Sequence, residues 1–242
     1  MSVPNAKKPI AFFDVDKTLC DCYSGYHTTL ELMRRRIIKK RRILQAIFYN
    51  AIGRLYVNAD VKRMYEIAIA DMAGTHINDI LRIGKEAFDK YVKPTMYVEA
   101  LEEIEKLRRE GFSIVLLSSA PAMLVKNMEL FLKADTSFSN GPEIVDGILQ
   151  KKFREPLCYK EGKVQVAKEY ADSQGISFAD CRFYSDSISD LPLLSLVGHP
   201  RVVNPDSKLR REAERRGWTI LNFHRTLGKG GLGAASPTET VQ

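Results

Sequence analysis

The chain has 242 residues, of which 45% are hydrophobic and 28% charged, with 37 Lys and Arg against 30 Asp and Glu and a formal charge of +7. This composition excludes collagen-like, disordered and disulfide-scaffold classes. The longest apolar runs, such as Ile10–Phe13 and Ile114–Leu117, are too short to span a bilayer.

Taken in chain order, the first ten residues lack the apolar core of a secretory signal. Residues 10–14 then form a short apolar run ending in Asp14, which predicts a strand. Cys20 and Cys22, one residue apart, fit neither a zinc-ribbon nor a redox CxxC. With Cys158 and Cys181 they read as reduced thiols of a cytoplasmic protein. Residues 21–93 show helical patterns and no strand, and so predict an all-helical insertion. Residues 97–110 are apolar at Val98, Leu101, Ile104 and Leu107 and stop at Gly111, as a helix does.

The run at 112–117 predicts a second strand, stopping at Ser118-Ser119, and 122–133 a helix. Residues 141–153, with Asp146-Gly147 in the middle, predict a β-hairpin near the sheet edge. A helix over 163–173, strands at 181–184, 201–203 and 219–223, and a helix at 206–216 complete the pattern. Continuous apolar runs alternating with helices predict a doubly wound parallel α/β sheet, Rossmann-like, covered on both faces. The Gly-rich tail from 228 to 242 reads as a disordered extension.

The charge is uneven. Residues 21–93 hold 14 basic and 8 acidic residues, a formal +6, and the nonamer RRRIIKKRR at 34–42 contains seven positive charges and no negative one. It continues into a stretch with Leu44, Ile47, Phe48, Ala51, Ile52 and Leu55 at helical spacing. Three readings are open for residues 34–56: a solvated face over packing within the insertion, an anion-collecting surface that steers substrate, or a basic amphipathic helix at an anionic membrane. The apolar stripe suits a dimer surface as readily as a membrane. A basic groove with aromatic platforms is not evident, which argues against nucleic acid. His27, His76, His199 and His224 are scattered, without metal-like partners.

Ligands of open α/β sheets bind beyond the carboxyl ends of the strands. There the sequence places Asp14-Val15-Asp16-Lys17-Thr18, Ser118-Ser119, and Ser185-Asp186 with Asp190. Four aspartates at one point repel each other without a cation, and hard oxygen donors suit Mg²⁺. An aspartate beside Mg²⁺ can attack phosphorus to form an aspartyl-phosphate.

DVDKTL at 14–19, Ser118 after an apolar strand, Lys163 in EGK and SDSISD at 185–190 resemble the four motifs of the haloacid dehalogenase (HAD) superfamily. They look most like its phosphoserine-phosphatase-like subfamily IB. The resemblance covers residues 9–20 and about 94–223, and implies a catalytic core at 1–20 and 94–227 with a helical cap at 21–93. It implies Asp14 as nucleophile and Asp16 as general acid and then base. Mg²⁺ would be held by Asp14, the Asp16 main-chain carbonyl and Asp186. Thr18, Ser118, Ser119 and Lys163 would bind the phosphoryl group, with Thr18 also steadying the first loop, and Asp190 would orient Lys163 or a metal-bound water. Two departures bear on substrate. Tyr23 stands where the phosphoserine phosphatases carry an amine-gripping glutamate, and Ser119-Ala120 replaces their glycine pair, which points away from serine phosphate.

The expected function is therefore a Mg²⁺-dependent phosphatase of a phosphomonoester, its substrate chosen by the cap. The alternatives are a phosphatase of a phospholipid or lysophospholipid monoester, peripheral at the inner face of the membrane, and a membrane- or partner-binding module with a vestigial site.

Overall fold

The structure, a computed structural model, describes residues 8–45, 65–67 and 70–228. Six strands form one parallel sheet in the order β3-β2-β1-β6-β7-β8, where β1 is Ile10–Phe13, β2 Ser113–Pro121, β3 Thr136–Asn140, β6 Arg182–Ser185, β7 His199–Val203 and β8 Thr219–Leu221. Between β3 and β6 an antiparallel pair, β4 (Pro142–Val145) and β5 (Ile148–Phe153), makes a second small sheet.

Strand alternation distributes the central residues between two apolar layers. Ala11, Phe13, Ile114, Leu116 and Tyr184 face one layer, and Ile10, Phe12, Val115, Leu117 and Phe183 the other. All ten are fully buried, which explains why these strands read as continuous apolar runs. Burying a side chain such as Phe12 contributes about 1.5–3 kcal/mol. The first layer packs against helices α3 (Val98–Arg109) and α4 (Ala122–Leu132), and the second against α5 (Glu161–Gln174), α6 (Leu191–Leu194) and α7 (Ser207–Arg216).

The described residues between β1 and α3 carry helices α1 (Ser24–Arg34) and α2 (Ile77–Ala87), helical stretches at 40–45 and 65–67, and short helical turns up to Thr95. Leu32, Ile38, Met72, Ile80 and Ile83 form a third apolar cluster. Two members come from outside the insertion: Met123, at the start of α4, and Leu149, in β5. Close approach makes this packing possible, because a Cβ on Gly84 of α2 would lie 2.5 Å from the Met123 carbonyl oxygen.

The sequence reading differs from the structure in three places. β3 was not expected: Thr-Ser-Phe-Ser-Asn is polar and, until Asn140, only half-buried, as suits an edge strand. β2 does not stop at Ser118-Ser119 but runs on to Pro121, with its register to β3 broken between Ser118 and Pro121. The hairpin forms, but it joins the insertion rather than the main sheet. Gly74 N donates to Leu149 O, Leu149 N to Thr75 O and Ile77 N to Gly147 O, at 2.8–3.0 Å.

The basic run is partly neutralised where it lies. Arg34 and Arg35 pair with Glu31, Arg35 also with Glu86, and Arg42 with Asp71. Arg36, Lys39, Lys40 and Arg41 are exposed, as is Leu44. Residues 46–56 of the amphipathic stretch and the tail from 229 lie outside the described residues. Among the described residues no helix is long and apolar enough to cross a membrane, and the four cysteines are free and buried.

Candidate active site

Register brings the sequence motifs together. Phe13 pairs with Leu116 of β2 and Tyr184 of β6. Asp14 follows Phe13 off the end of β1, its amide donating to the Tyr184 carbonyl at 2.9 Å. Ser118 lies two residues beyond Leu116, and Ser185 and Asp186 follow Tyr184. These residues converge because β1 and β6 end side by side at this level, while the neighbouring β2 runs on past Ser118 to Pro121.

Lys163 joins them through its ammonium. Its Nζ donates to Asp14 Oδ1 at 2.9 Å and to Asp190 Oδ2 at 2.8 Å, and all three side chains are almost fully buried. Asp190 Oδ2 also accepts from the Ser185 hydroxyl at 2.7 Å. Lys163 stands in the first turn of α5, whose tight entry depends on Gly162. A Cβ there would lie 1.9 Å from the Leu157 carbonyl oxygen, so a side chain at 162 would displace the turn that aims Lys163.

The electrostatics of the cluster are lopsided. Burial pushes Asp14 up to about 6, against the pull of Lys163 and with the Asp190 charge adding to the rise. Burial and then the Asp14 charge raise Asp186 to about 8. Asp16 is raised by burial, partly offset by Ser24. Burial alone would lower Lys163, but the charges of Asp14 and Asp190 outweigh it and hold the ammonium above its usual range. The site thus gathers more carboxylate than its lysine can offset.

This donor set fits Mg²⁺. The neighbouring side chains are hard oxygen donors, Asp14 and Asp186 repel each other, and Asp190 Oδ1 is buried without a hydrogen-bond partner. That free oxygen suits a water of hydration, which Mg²⁺ characteristically keeps while taking one or two carboxylates.

The remaining expected residues fall nearby in different roles. Thr18 is fully buried and turns its hydroxyl to Asp186 Oδ1 at 3.5 Å. Asp16 accepts from the Ser24 amide at 3.1 Å. The Ser118 oxygen accepts from the Ala120 amide at 3.1 Å. Ser119 presents its carbonyl to two donors, Tyr65 Oη at 3.1 Å and Asn140 Nδ2 at 3.3 Å. Ser187 caps the turn at Ile188–Asp190, and Asp206 binds both the Ile188 amide and the first turn of α7.

Ser24, Tyr65 and Asn140 were not singled out in the sequence. Asn140-Gly141-Pro142 carries a turn signal that marks the end of β3, whereas nothing in spacing marks Tyr65. Tyr23, expected from the resemblance to stand where the phosphoserine phosphatases carry a glutamate, is exposed, with Lys17 Nζ 5.1 Å from its ring centroid. His27 stacks on Tyr91, and His76 caps α2, its Nδ1 accepting from the Asn78 amide. Both serve the insertion.

Comparison with known proteins agrees with this geometry. A probable phosphatase of Mycobacterium tuberculosis is 33% identical over 223 residues, covering 90% of this chain and 76% of that one. A phosphoserine phosphatase of the same organism is 29% identical over 217 residues, 88% of this chain and 70% of its own. A solved protein of unknown function from Bordetella pertussis superposes with a TM-score of 0.77 at 22% identity, covering 89% of this chain and 99% of its own. Residues 11–195 match the haloacid dehalogenase-like hydrolases, and with its motif residues gathered at one strand-end cluster the chain belongs to that family, as a phosphatase of the phosphoserine-phosphatase-like type.

Proposed function

We propose that the protein is a Mg²⁺-dependent phosphomonoesterase working through an aspartyl-phosphate on Asp14, with residues 21–93 as a cap that selects a small-molecule phosphate monoester. The observation that carries this reading is the buried Lys163 ammonium bridging Asp14, of the first motif, and Asp190, of the last. Magnesium would be held by the carboxylates of Asp14 and Asp186 and the main-chain carbonyl of Asp16, and when bound it supplies positive charge against the phosphoryl oxygens.

A carboxylate oxygen of Asp14 attacks phosphorus, and the ester oxygen leaves with a proton from Asp16. Asp16, now ionised, takes a proton from the water that attacks the phosphoryl group. Inorganic phosphate departs and Asp14 is restored. Ser118 and Lys163 hold the equatorial oxygens, where charge develops, on donors fixed before substrate arrives. Asp190 keeps the ammonium aimed.

The test is phosphate release from an aryl phosphate. Asp14→Asn, which keeps the size of the side chain, abolishes it while the protein stays folded by circular dichroism. Undiminished turnover in that variant, or in excess chelator, refutes the mechanism.

A further inference from the structure

Tyr65 comes from the insertion, yet its hydroxyl reaches the carbonyl oxygen of Ser119, which Asn140 also holds. The peptide unit is planar, with its C=O and N–H pointing opposite ways. Two donors on the Ser119 oxygen therefore fix the direction of the Ala120 N–H. That N–H donates to Ser118 Oγ at 3.1 Å. A serine hydroxyl has one proton to give. With its oxygen already accepting from Ala120, Ser118 is oriented to donate that proton elsewhere.

The tyrosine is itself held in place. Its ring packs on Phe153 of β5 with centroids 5.4 Å apart. Burial raises its pKa, the hydrogen bonds with Asn140 and Ser119 hold it partly back, and the charge of Asp16 is near enough to contribute. Asn140 is anchored in turn, because its Oδ1 accepts from the Cys158 amide at 2.8 Å, on the chain that leads to Lys163.

We propose that Tyr65 is a positioning residue of the insertion: through the Ser119–Ala120 peptide it orients the Ser118 hydroxyl as a donor to the phosphoryl group. The segment that selects substrate thereby also sets the affinity for phosphate. This rests on the assignment of Ser118 as a phosphoryl ligand.

Tyr65→Phe keeps the ring on Phe153 and removes only the hydroxyl. Binding of inorganic phosphate, measured by calorimetry with Mg²⁺ present, is expected to weaken about fivefold to tenfold, the worth of one hydrogen bond. With an aryl phosphate the loss in kcat/KM falls mainly on KM. In a Ser118→Ala background the same substitution adds little, because the group it orients is gone. Unchanged phosphate affinity in Tyr65→Phe, an equal loss in both backgrounds, or a lowered melting temperature with intact phosphate binding would each overturn the proposal. If Ser118→Ala alone leaves phosphate binding intact, the assignment of Ser118 fails first and takes the proposal with it. The single variants tell these two failures apart.

Discussion

The Asp16 carboxylate accepts a hydrogen bond from the Ser24 amide at 3.1 Å, and so caps α1 from outside that helix. Tyr23, the residue at the N-cap position, supplies no side-chain bond of its own. A carboxylate at a helix N-terminus satisfies an orphan N–H and meets the positive end of the helix dipole. One side chain thus joins the first motif loop to the insertion. Asp16→Asn keeps an acceptor oxygen, so it is expected to fold as stably as the parent while losing phosphatase turnover. Asp16→Ala loses the cap as well and should be destabilised by about 1 kcal/mol. Urea unfolding of the two variants side by side checks the difference, and equal stabilities would refute the capping role.

Removing the ammonium of Lys163 strands two buried carboxylates. Lys163→Met, of similar length, should therefore cost about 3–5 kcal/mol, the usual consequence of breaking a buried pair by deleting one partner. Exposed pairs are expected to behave differently. Lys168→Ala, which breaks the exposed Lys168–Asp172 pair, should shift stability by about 1 kcal/mol or less. Comparing denaturation midpoints of the two variants makes the contrast measurable, and similar midpoints would show that Lys163 has little structural weight.

Gly84 sits where α2 meets the start of α4. A methyl group there would lie 2.5 Å from the Met123 carbonyl oxygen, which also accepts from Asn127. Gly84→Ala should push the two helices apart and cost about 1–3 kcal/mol, although alanine is the better helix former. A variant at least as stable as the parent would mean that the contact is looser than it looks.

Mg²⁺ should stabilise the fold as well as serve turnover. An ion that relieves the repulsion between Asp14 and Asp186 binds the native state and not the unfolded chain. At a hundred times its dissociation constant it adds about 2.7 kcal/mol. Thermal unfolding is expected to rise with Mg²⁺, to fall back with chelator, and to lose most of its response in Asp186→Asn. A melting temperature indifferent to Mg²⁺ would count against the donor set.

Much of this site was legible in the sequence, because its motif residues follow the apolar runs of strands buried on both faces. Phe12, Leu116 and Phe183 announce their strands by hydrophobicity alone, and Asp14, Ser118 and Asp186 follow from chain direction. Lys163 was legible only through the resemblance to a family, since a lysine in a helical pattern otherwise reads as surface. What escaped depends on partners distant in sequence. Asn140 acts at the end of an edge strand too polar to show. Tyr65 acts through a hydroxyl that meets a backbone oxygen 54 residues away, a contact that leaves no local periodicity.

The three backbone hydrogen bonds between residues 74–77 and the β4–β5 hairpin have a bearing on protein engineering. The unit these bonds assemble is discontinuous in sequence, drawn from one stretch before β2 and another after β3. Excising residues 21–93, or grafting them onto a related scaffold, would leave Leu149 with Met123 alone of its buried cluster and the hairpin without its hydrogen-bonded edge. A chimera meant to exchange substrate preference should therefore carry both segments across together, and the loop between β3 and α5 becomes as much a crossover point as the ends of the insertion.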